Sequence, residues 1–194
     1  MPPNIQPLWA RHAGNALTAL RIAVAPMYVA CVLAQTAPLG WLAGVLFALA
    51  AASDVYDGRL ARRYGSASTF GRFLDHFADI GFLLAAYAAF AARGEAPWWV
   101  PASIAAAFAV YVVDSWLRSA PAQPNLIGSR IGHAGGVANY VLLGVLTFNA
   151  AAELRLLPPS VVLAMCALVP TYSAAAILSR FLPAASSPSR PSRP

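Results

Sequence analysis

The chain has 194 residues, of which 59% are hydrophobic and 10% are charged, whereas about a quarter of the residues in a soluble globular domain are charged. This composition excludes an ordinary water-soluble fold and indicates a membrane protein. The formal charge is +6, but long apolar blocks separate the arginines that produce it. Because nucleic-acid-binding proteins cluster their basic residues, nucleic acid is not expected as a partner. Cys31 and Cys166 both lie in apolar runs, so the sequence predicts neither a disulfide framework nor a thiolate metal site.

Six apolar stretches are long enough to cross the hydrocarbon core of a bilayer, which takes about 20 residues in a helix. They lie at residues 16–35, 40–60, 73–92, 98–117, 136–152 and 159–179. Short connections with turn-forming residues separate them, so neighbouring helices are predicted to run antiparallel. We therefore expect an all-α integral membrane protein with six transmembrane helices, in which residues 1–182 form one membrane domain.

The distribution of arginine predicts how the chain crosses the membrane. With the N-terminus in the cytoplasm, eleven of the 13 basic residues fall on or near the inner side, and only Arg93 and Arg155 fall outside. Basic residues are concentrated in the cytoplasmic connections of membrane proteins. Both termini are therefore expected in the cytoplasm, and the chain is expected to be a multi-pass protein of the inner, cytoplasmic membrane.

The two ends of the chain carry patterns of their own. Ahead of the first span, four residues recur at helical spacing and predict a short amphipathic helix in the membrane interface: Ile5, Leu8, Trp9 and His12. A cleaved signal peptide is disfavoured because Arg21 interrupts the apolar core of the first span. Residues 183–194 consist mainly of Pro, Ser and Arg and are predicted to form a disordered cytoplasmic tail.

Four of the seven acidic residues lie within 26 positions, at the predicted inner ends of the second and third spans: Asp54, Asp57, Asp75 and Asp79. Acidic side chains at membrane depth are costly and commonly mark a functional site. Helical spacing places Asp54 and Asp57 on one face of the second helix. Asp75 and Asp79 lie one turn apart on the third helix. The two faces are predicted to meet, and the active site with them, at the cytoplasmic mouth of the bundle.

Carboxylate oxygens are the ligands that Mg²⁺ and Mn²⁺ prefer, and four carboxylates could hold two such ions. The same helix faces carry Gly58, Ala61 and Gly71, whose small side chains leave room for a phosphorylated ligand. The guanidinium of Arg62 can donate two hydrogen bonds to a phosphate. These residues together predict a pyrophosphate substrate. The alternative is a structural ion-pair network in which four arginines neutralise the aspartates: Arg59, Arg62, Arg63 and Arg72.

The spacing of these residues resembles the motif of the CDP-alcohol phosphotransferase family, D-x2-D-G-x2-A-R-x8-G-x3-D-x3-D. All eight fixed positions are present between Asp54 and Asp79. With these residue frequencies, a chance match is of order 10⁻¹⁰ per start position. A second segment, from Asn15 to Arg21 and followed by Pro26, is similar to the opening of the family's first span. With the six spans, the resemblance covers nearly the whole chain.

The resemblance implies an integral membrane enzyme that transfers a phosphatidyl group, or a related phosphoalcohol, from a CDP-linked donor to an alcohol hydroxyl and releases CMP. It implies that Asp54, Asp57 and Asp75 ligate a first metal ion. Asp54, Asp75 and Asp79 are the implied ligands of a second ion. Asp79 is also the implied general base.

The resemblance also implies contacts with the CDP moiety of the donor. Gly58, Arg62 and Ser68 match positions that make these contacts in the family. Ala61 and Gly71 match positions that shape the slot for the same moiety. Because the family commonly forms homodimers, a homodimer is expected here as well.

Two arginines are candidates for binding the acceptor. Arg118 and Arg130 lie near the inner ends of the fourth and fifth spans, where their guanidinium groups could bind a phosphate on a polyol. Arg118 also follows Asp114 by four residues, so an ion pair within the helix is the alternative. The resemblance implies CDP-diacylglycerol as donor, the two arginines favour glycerol 3-phosphate or another polyol phosphate as acceptor, and membrane lipids are expected around the protein.

Other functions remain open at this point. Within the family, the acceptor could be an unphosphorylated alcohol such as serine, inositol, choline or phosphatidylglycerol, or the donor could resemble CDP-choline. Outside the enzyme class, the chain could be a membrane transporter or scaffold. A transporter is disfavoured because charges would line a path through its bundle, whereas the outer halves of the six predicted spans carry almost none.

Overall fold

All six predicted spans are α-helices in the computed structural model, which describes residues 8–64, 69–118, 130–151 and 156–181. Side chains are described over 16–56, at 71, and over 73–118, 132–151 and 156–181. The helices are α1 (Leu8–Ala34), α2 (Ala37–Tyr64), α3 (Thr69–Ala92), α4 (Trp99–Arg118), α5 (Arg130–Ala151) and α6 (Pro159–Phe181). Each contains a segment long and apolar enough to cross a membrane. No β-strand occurs in these four ranges, so the predicted all-α fold with six transmembrane helices is confirmed.

The start of the chain differs from the expectation of a separate interfacial helix. α1 begins at Leu8 and continues without a break to Ala34, so the residues just before the first span belong to the same helix as the span. A distinct amphipathic helix is therefore not confirmed. Residues 1–7 and the predicted tail at 183–194 lie outside the described residues, and the domain boundary at residue 182 stays a prediction.

The outward faces of the helices are apolar. On α2, Trp41, Val45 and Leu49 recur every four residues and are 57%, 55% and 48% exposed. Rows of exposed large apolar side chains are unfavourable in water, but they suit the hydrocarbon core of a bilayer. The surface of the bundle therefore agrees with a multi-pass membrane protein.

The interfaces between the helices contain buried aromatic side chains. α1 contacts α2 and α3, α2 contacts α5, and α4 packs against α6. The ring of Phe82 on α3 lies between two tyrosines, with ring centroids 5.2 Å from Tyr28 on α1 and 6.3 Å from Tyr140 on α5. Because lipid tails are as apolar as these side chains, close packing and hydrogen bonds hold the helices together rather than the hydrophobic effect.

A buried hydrogen bond joins α1 to α5. The hydroxyl oxygens of Tyr28 and Thr147 are 2.5 Å apart, and Thr147 donates to the carbonyl oxygen of Leu143 at 2.7 Å. Since a threonine hydroxyl has a single proton, Tyr28 is the donor in the bond between the two side chains. Both hydroxyls are thereby satisfied inside the bundle, as an apolar environment requires.

Hydrogen bonds also close the end of the bundle opposite the aspartates. α3 ends at Ala92, and Gly94 follows with a φ of 73°, the left-handed conformation that glycine adopts after helices. The Nη1 atom of Arg93 donates to the carbonyl oxygen of Val32 at 2.7 Å. Its Nη2 atom donates to Glu95 Oε1 at 2.6 Å. The predicted turn after the third span therefore also holds the end of α1.

Two glycines of α5 lie directly against aromatic rings. A Cβ atom added at Gly135 would overlap the ring of Tyr172 on α6, with Cδ1 only 2.7 Å away. A Cβ atom added at Gly144 would lie 2.9 Å from Cε1 of Phe47 on α2. At Gly136, no atom lies within 4 Å of the added Cβ. Gly135 and Gly144 therefore allow α5 to approach α6 and α2, and Gly136 does not contribute to this packing.

We expect Gly135→Ala to destabilise the protein by about 1–3 kcal/mol, the usual cost of overpacking, because the ring of Tyr172 must move. Gly136→Ala is the matched control, since its methyl group enters open space and alanine has the higher helix propensity. Thermal unfolding of both variants in detergent measures the difference. Equal melting temperatures would contradict the close approach of α5 and α6.

Candidate active site

Three carboxylates from two helices meet at one end of the bundle. Asp75 and Asp79 lie near the start of α3, and Asp54 lies near the end of the apolar segment of α2. One oxygen from each carboxylate lies within 4.8 Å of the others. The side chains are 43% exposed for Asp54, 28% for Asp75 and 15% for Asp79. The fold thus brings together three of the predicted site residues, which we call the acidic cluster.

α1 adds a cation to the acidic cluster. The side chain of Arg21 is fully buried, and its Nη1 atom donates to Asp75 Oδ1 at 2.9 Å. The same nitrogen forms an ion pair with Asp79 Oδ1, and Nη2 lies 3.9 Å from Asp54 Oδ1. Thr18, about one turn earlier on α1, donates from Oγ1 to Asp75 Oδ1 at 3.2 Å. Arg21 is therefore close to all three carboxylates at once.

α5 places a hydroxyl beside the most buried of the three aspartates. Tyr140 Oη lies 3.5 Å from Asp79 Oδ1, which is the long limit of a hydrogen bond. The ring of Tyr140 stacks on Phe82 at an interplanar angle of 11°, and this contact fixes the direction of the hydroxyl. The site is consequently bounded by α1, α2, α3 and α5.

Sequence reasoning assigned no role in the site to Arg21 or Thr18. The ion-pair alternative relied instead on four arginines whose side chains lie outside the described part of the chain: Arg59, Arg62, Arg63 and Arg72. One signal for Arg21 was present, because an arginine within an apolar span is costly unless it has a partner. Thr18 and Arg21 are also three residues apart, which puts them on one face of α1.

The remaining residues predicted for the metal ions and the CDP moiety lie near the same end of the bundle. Four occupy the last turns of α2, where the structure describes the backbone helix but not the side chains: Asp57, Gly58, Ala61 and Arg62. Gly71 lies in the first turn of α3, one turn before Asp75. Ser68 lies outside the described residues, and its role stays a prediction.

A second polar cluster joins the C-terminal ends of α4 and α6. Asp114 accepts from Arg118 Nε at its Oδ1 and from Arg180 Nη1 at its Oδ2, both at 2.7 Å. The Nη2 atom of Arg118 also donates to the carbonyl oxygen of Arg180 at 2.7 Å. The guanidinium of Arg180 lies over the ring of Tyr111, 4.5 Å from its centroid. Sequence reasoning did not include Arg180 among the candidate residues.

This second cluster bears on the predicted acceptor residues. Arg118 forms the ion pair with Asp114 that the sequence left as the alternative to phosphate binding. It is also 56% exposed, so the ion pair does not remove it from solvent. Arg130 is the first residue of α5, and its side chain lies outside the described part of the chain.

The donor set of the acidic cluster suits a hard divalent cation. All three members offer carboxylate oxygens, without histidine or cysteine, and Mg²⁺ and Mn²⁺ prefer such ligands over nitrogen or sulfur. The cluster lies near the ends of the apolar segments of α2 and α3 and is partly exposed, so ions can reach it from water. The residues present therefore fit the divalent ions that the sequence resemblance implies.

Residues 11–178 match the profile of the CDP-alcohol phosphatidyltransferase family. The match covers most of the chain and includes the acidic cluster. The chain therefore belongs to the CDP-alcohol phosphatidyltransferase family.

Relatives with curated names share about a third of their residues with this chain. A probable phosphatidylglycerophosphate synthase of Mycobacterium tuberculosis is 34% identical over 92 residues, which are 46% of this chain and 44% of that protein. CDP-diacylglycerol–glycerol-3-phosphate 3-phosphatidyltransferases of Yersinia pestis and Pectobacterium atrosepticum are 34% and 35% identical over 117 residues. The 117 matched residues make up 59% of this chain and 60% of the length of each relative. The matched region thus spans about half the length of the curated relatives.

We expect Asp54→Ala to weaken the binding of Mn²⁺ by about tenfold or more, because the variant removes one of the clustered carboxylates. Titration of Mn²⁺ followed by electron paramagnetic resonance of the free ion measures the affinity. Glu95→Gln is the matched control, since it removes an acid at the opposite end of the bundle and should leave Mn²⁺ binding unchanged. Equal affinities of the wild type and Asp54→Ala would show that Asp54 is not a metal ligand.

Proposed function

We propose that this protein transfers the phosphatidyl group of CDP-diacylglycerol to glycerol 3-phosphate and releases CMP. The observation that carries the proposal is the meeting of Asp54, Asp75 and Asp79 within 4.8 Å in a chain of the CDP-alcohol phosphatidyltransferase family. The relatives support the choice of substrates, because CDP-diacylglycerol and glycerol 3-phosphate both stand in their names. The product would be phosphatidylglycerophosphate, which agrees with the name of the mycobacterial relative.

Two divalent ions, Mg²⁺ or Mn²⁺, are assigned to the acidic cluster together with Asp57. Bound ions offset the negative charge that develops on the pyrophosphate during transfer. The CDP moiety of the donor is assigned to the adjoining ends of α2 and α3, with five residues in contact or shaping the slot: Gly58, Ala61, Arg62, Ser68 and Gly71. The support for this assignment is the family motif and the position of the two helix ends beside the cluster.

Asp79 is the proposed general base. Its carboxylate takes the proton of the acceptor hydroxyl while the hydroxyl oxygen bonds to the phosphorus that carries the diacylglycerol. The bond from that phosphorus to the bridging oxygen of the pyrophosphate breaks, and CMP leaves with the electron pair. Asp79 is suited to this role because its carboxylate, 15% exposed, lies between Arg21 and Tyr140, which hold it in one orientation.

The active site is proposed to face the cytoplasm from the inner membrane, since the arginines are concentrated at that end of the spans. A site at the membrane edge lets the lipid tails of the donor stay in hydrocarbon while glycerol 3-phosphate arrives from water. A homodimer is proposed from the family resemblance alone.

We expect Asp79→Asn to lower the release of CMP by at least about 10²-fold, because an amide cannot accept the hydroxyl proton. Binding of Mn²⁺ and CDP-diacylglycerol should remain measurable, since the amide fills the same space. The assay follows CMP and labelled lipid product from purified protein, with Glu95→Gln as the control that should retain activity. Turnover equal to that of the wild type would remove Asp79 from the mechanism.

The phosphate of the acceptor is assigned to Arg118 and Arg130. The second polar cluster supports this position, because Arg118 is exposed and close to Arg180 at the proposed cytoplasmic end. One observation favours a second candidate, an unphosphorylated alcohol, because Asp114 already neutralises Arg118. An acceptor without phosphate, such as serine or inositol, would not need that arginine.

Steady-state kinetics distinguishes the two kinds of acceptor. If Arg118 and Arg130 bind a phosphate, replacing either with alanine removes charge-assisted hydrogen bonds and raises the KM for glycerol 3-phosphate by about ten- to a hundredfold. The KM for CDP-diacylglycerol should barely change. Should both variants keep the wild-type acceptor KM, the phosphorylated acceptor is wrong, and mass analysis of products from a panel of alcohols identifies the substrate. Failure to release CMP with every acceptor would favour a transporter or scaffold.

A further inference from the structure

Arg21 lies beside the acidic cluster, and the proposed function uses it only to orient Asp79. It comes from α1, outside the eight-position motif, and its side chain is fully buried. A buried guanidinium in an apolar span is costly unless it is paired and hydrogen-bonded. Its charge is paired with Asp54, Asp75 and Asp79. The cluster therefore contains a fixed positive charge at the place proposed for the metal ions.

We propose that Arg21 is a built-in cation that competes with divalent ions for the acidic cluster, so that metal ions bind tightly only together with the anionic pyrophosphate of the donor. This inference rests on the proposed function, and it adds a thermodynamic coupling between metal and donor. In this scheme, Arg21 acts on the metal ions through the aspartates and the charge of the site, and on the donor through hydrogen bonds to its pyrophosphate.

The first argument is that Arg21 uses the same oxygens that a metal ion would need. Its Nη1 atom donates to Asp75 Oδ1 at 2.9 Å and pairs with Asp79 Oδ1. Oδ1 of Asp75 also accepts from Thr18, so its lone pairs are engaged twice. A metal ion that binds these oxygens must displace the guanidinium or share the oxygens with it. The positive charge of the guanidinium also repels the metal ion.

The second argument is the charge balance of the site. Four ionised aspartates, including Asp57, would carry four negative charges, and two divalent ions would neutralise them without any donor. Arg21 already neutralises one of those negative charges. With two divalent ions bound, the site would therefore carry one excess positive charge. The pyrophosphate of a CDP-linked lipid brings two negative charges and reverses that excess. Donor and metal should therefore strengthen the binding of each other, and linkage makes the effect reciprocal.

The third argument is the hydrogen bonding of the guanidinium itself. Within the described part of the chain, the buried Nε and Nη2 atoms of Arg21 have no hydrogen-bond partner. Buried donors are nearly always satisfied in folded proteins, and an exception calls for an explanation. Two donors beside a proposed pyrophosphate site are explained if an anionic oxygen of the donor accepts from them.

A role confined to packing makes the opposite prediction. If Arg21 only held the three helices together, its loss would loosen the carboxylates and weaken metal binding. If Arg21 is a competing cation, its loss should tighten metal binding in the absence of donor. The sign of the change in Mn²⁺ affinity therefore separates the two roles.

The experiment measures Mn²⁺ affinity of the purified full-length protein by electron paramagnetic resonance, with and without CDP-diacylglycerol in the detergent micelle. For the wild type, we expect the donor to tighten Mn²⁺ binding by about tenfold or more, within the usual range of coupling between sites. For Arg21→Gln, we expect about fivefold or greater tightening without donor. In that variant, the effect of the donor should shrink to about threefold or less.

Three variants serve as controls. Arg21→Lys keeps the charge and should stay close to the wild type in Mn²⁺ affinity without donor. Thr18→Val removes a neutral hydrogen bond to Asp75 without changing the charge of the site, and should tighten Mn²⁺ binding by much less than Arg21→Gln does. Arg93→Gln removes the partly buried arginine at the opposite end of the bundle and should leave both affinities unchanged.

Several outcomes would overturn the inference. Unchanged or weaker Mn²⁺ binding by Arg21→Gln, in a variant whose thermal unfolding shows it is folded, excludes a competing cation. If Arg21→Gln does not fold, two other measurements test the proposal. CDP-diacylglycerol must tighten Mn²⁺ binding to the wild type, and Arg21→Lys must keep the Mn²⁺ affinity of the wild type without donor. Failure of either contradicts the proposal. A wild type that binds no Mn²⁺ even with CDP-diacylglycerol contradicts the proposed function itself, so the two failures are distinguishable.

Discussion

Charged side chains inside an apolar helix bundle must neutralise one another, and this requirement organises the end of the protein that carries the acidic cluster. Arg21 on α1 is buried beside Asp54 on α2 and Asp75 and Asp79 on α3. Separating these helices would leave a guanidinium in hydrocarbon without a counter-charge, which is far more costly than losing a contact between apolar side chains. The interaction that aligns α1, α2 and α3 is therefore the same one that assembles the site.

The two ends of the bundle satisfy this requirement differently, and the difference indicates which end attracts divalent cations. At the end opposite the acidic cluster, Arg93 is paired with Glu95 and bonded to a backbone carbonyl, so one cation faces one anion. Among the side chains that the structure describes, three carboxylates of the acidic cluster face Arg21. Such an excess of negative charge attracts divalent cations from water. The balanced end closes the fold, whereas the unbalanced end can bind ions.

The helices also divide the proposed chemistry between them. α2 and α3 carry the motif for metal ions and CDP, while α4 and α6 carry the second polar cluster of Asp114, Arg118 and Arg180. α5 lies between these pairs, contacting α2 and α6, and its Tyr140 reaches Asp79. Glycine at position 135 lets α5 approach α6 closely enough for this arrangement. Packing on α5 thus connects the proposed donor and acceptor regions.

The sequence by itself determined the features that depend on neighbouring residues. Six spans and the all-α class follow from hydropathy, and the third span was predicted at the residues 73–92 that the structure shows. The family and the candidate aspartates follow from a local motif between Asp54 and Asp79. Helical spacing also predicted that Asp75 and Asp79 share a face, because the period of an α-helix is fixed.

Only the tertiary structure decided which distant residues meet. Arg21 contacts Asp75 across 54 positions of the chain, and Arg180 contacts Asp114 across 66. Gly135 proved to lie against Tyr172 while its neighbour Gly136 faces open space. Hydropathy and spacing are properties of one helix, and they do not specify which helices are neighbours or how each is rotated. Those choices come from packing and charge pairing among all six helices, which is why the sequence signal at Arg21 did not identify the aspartates as its partners.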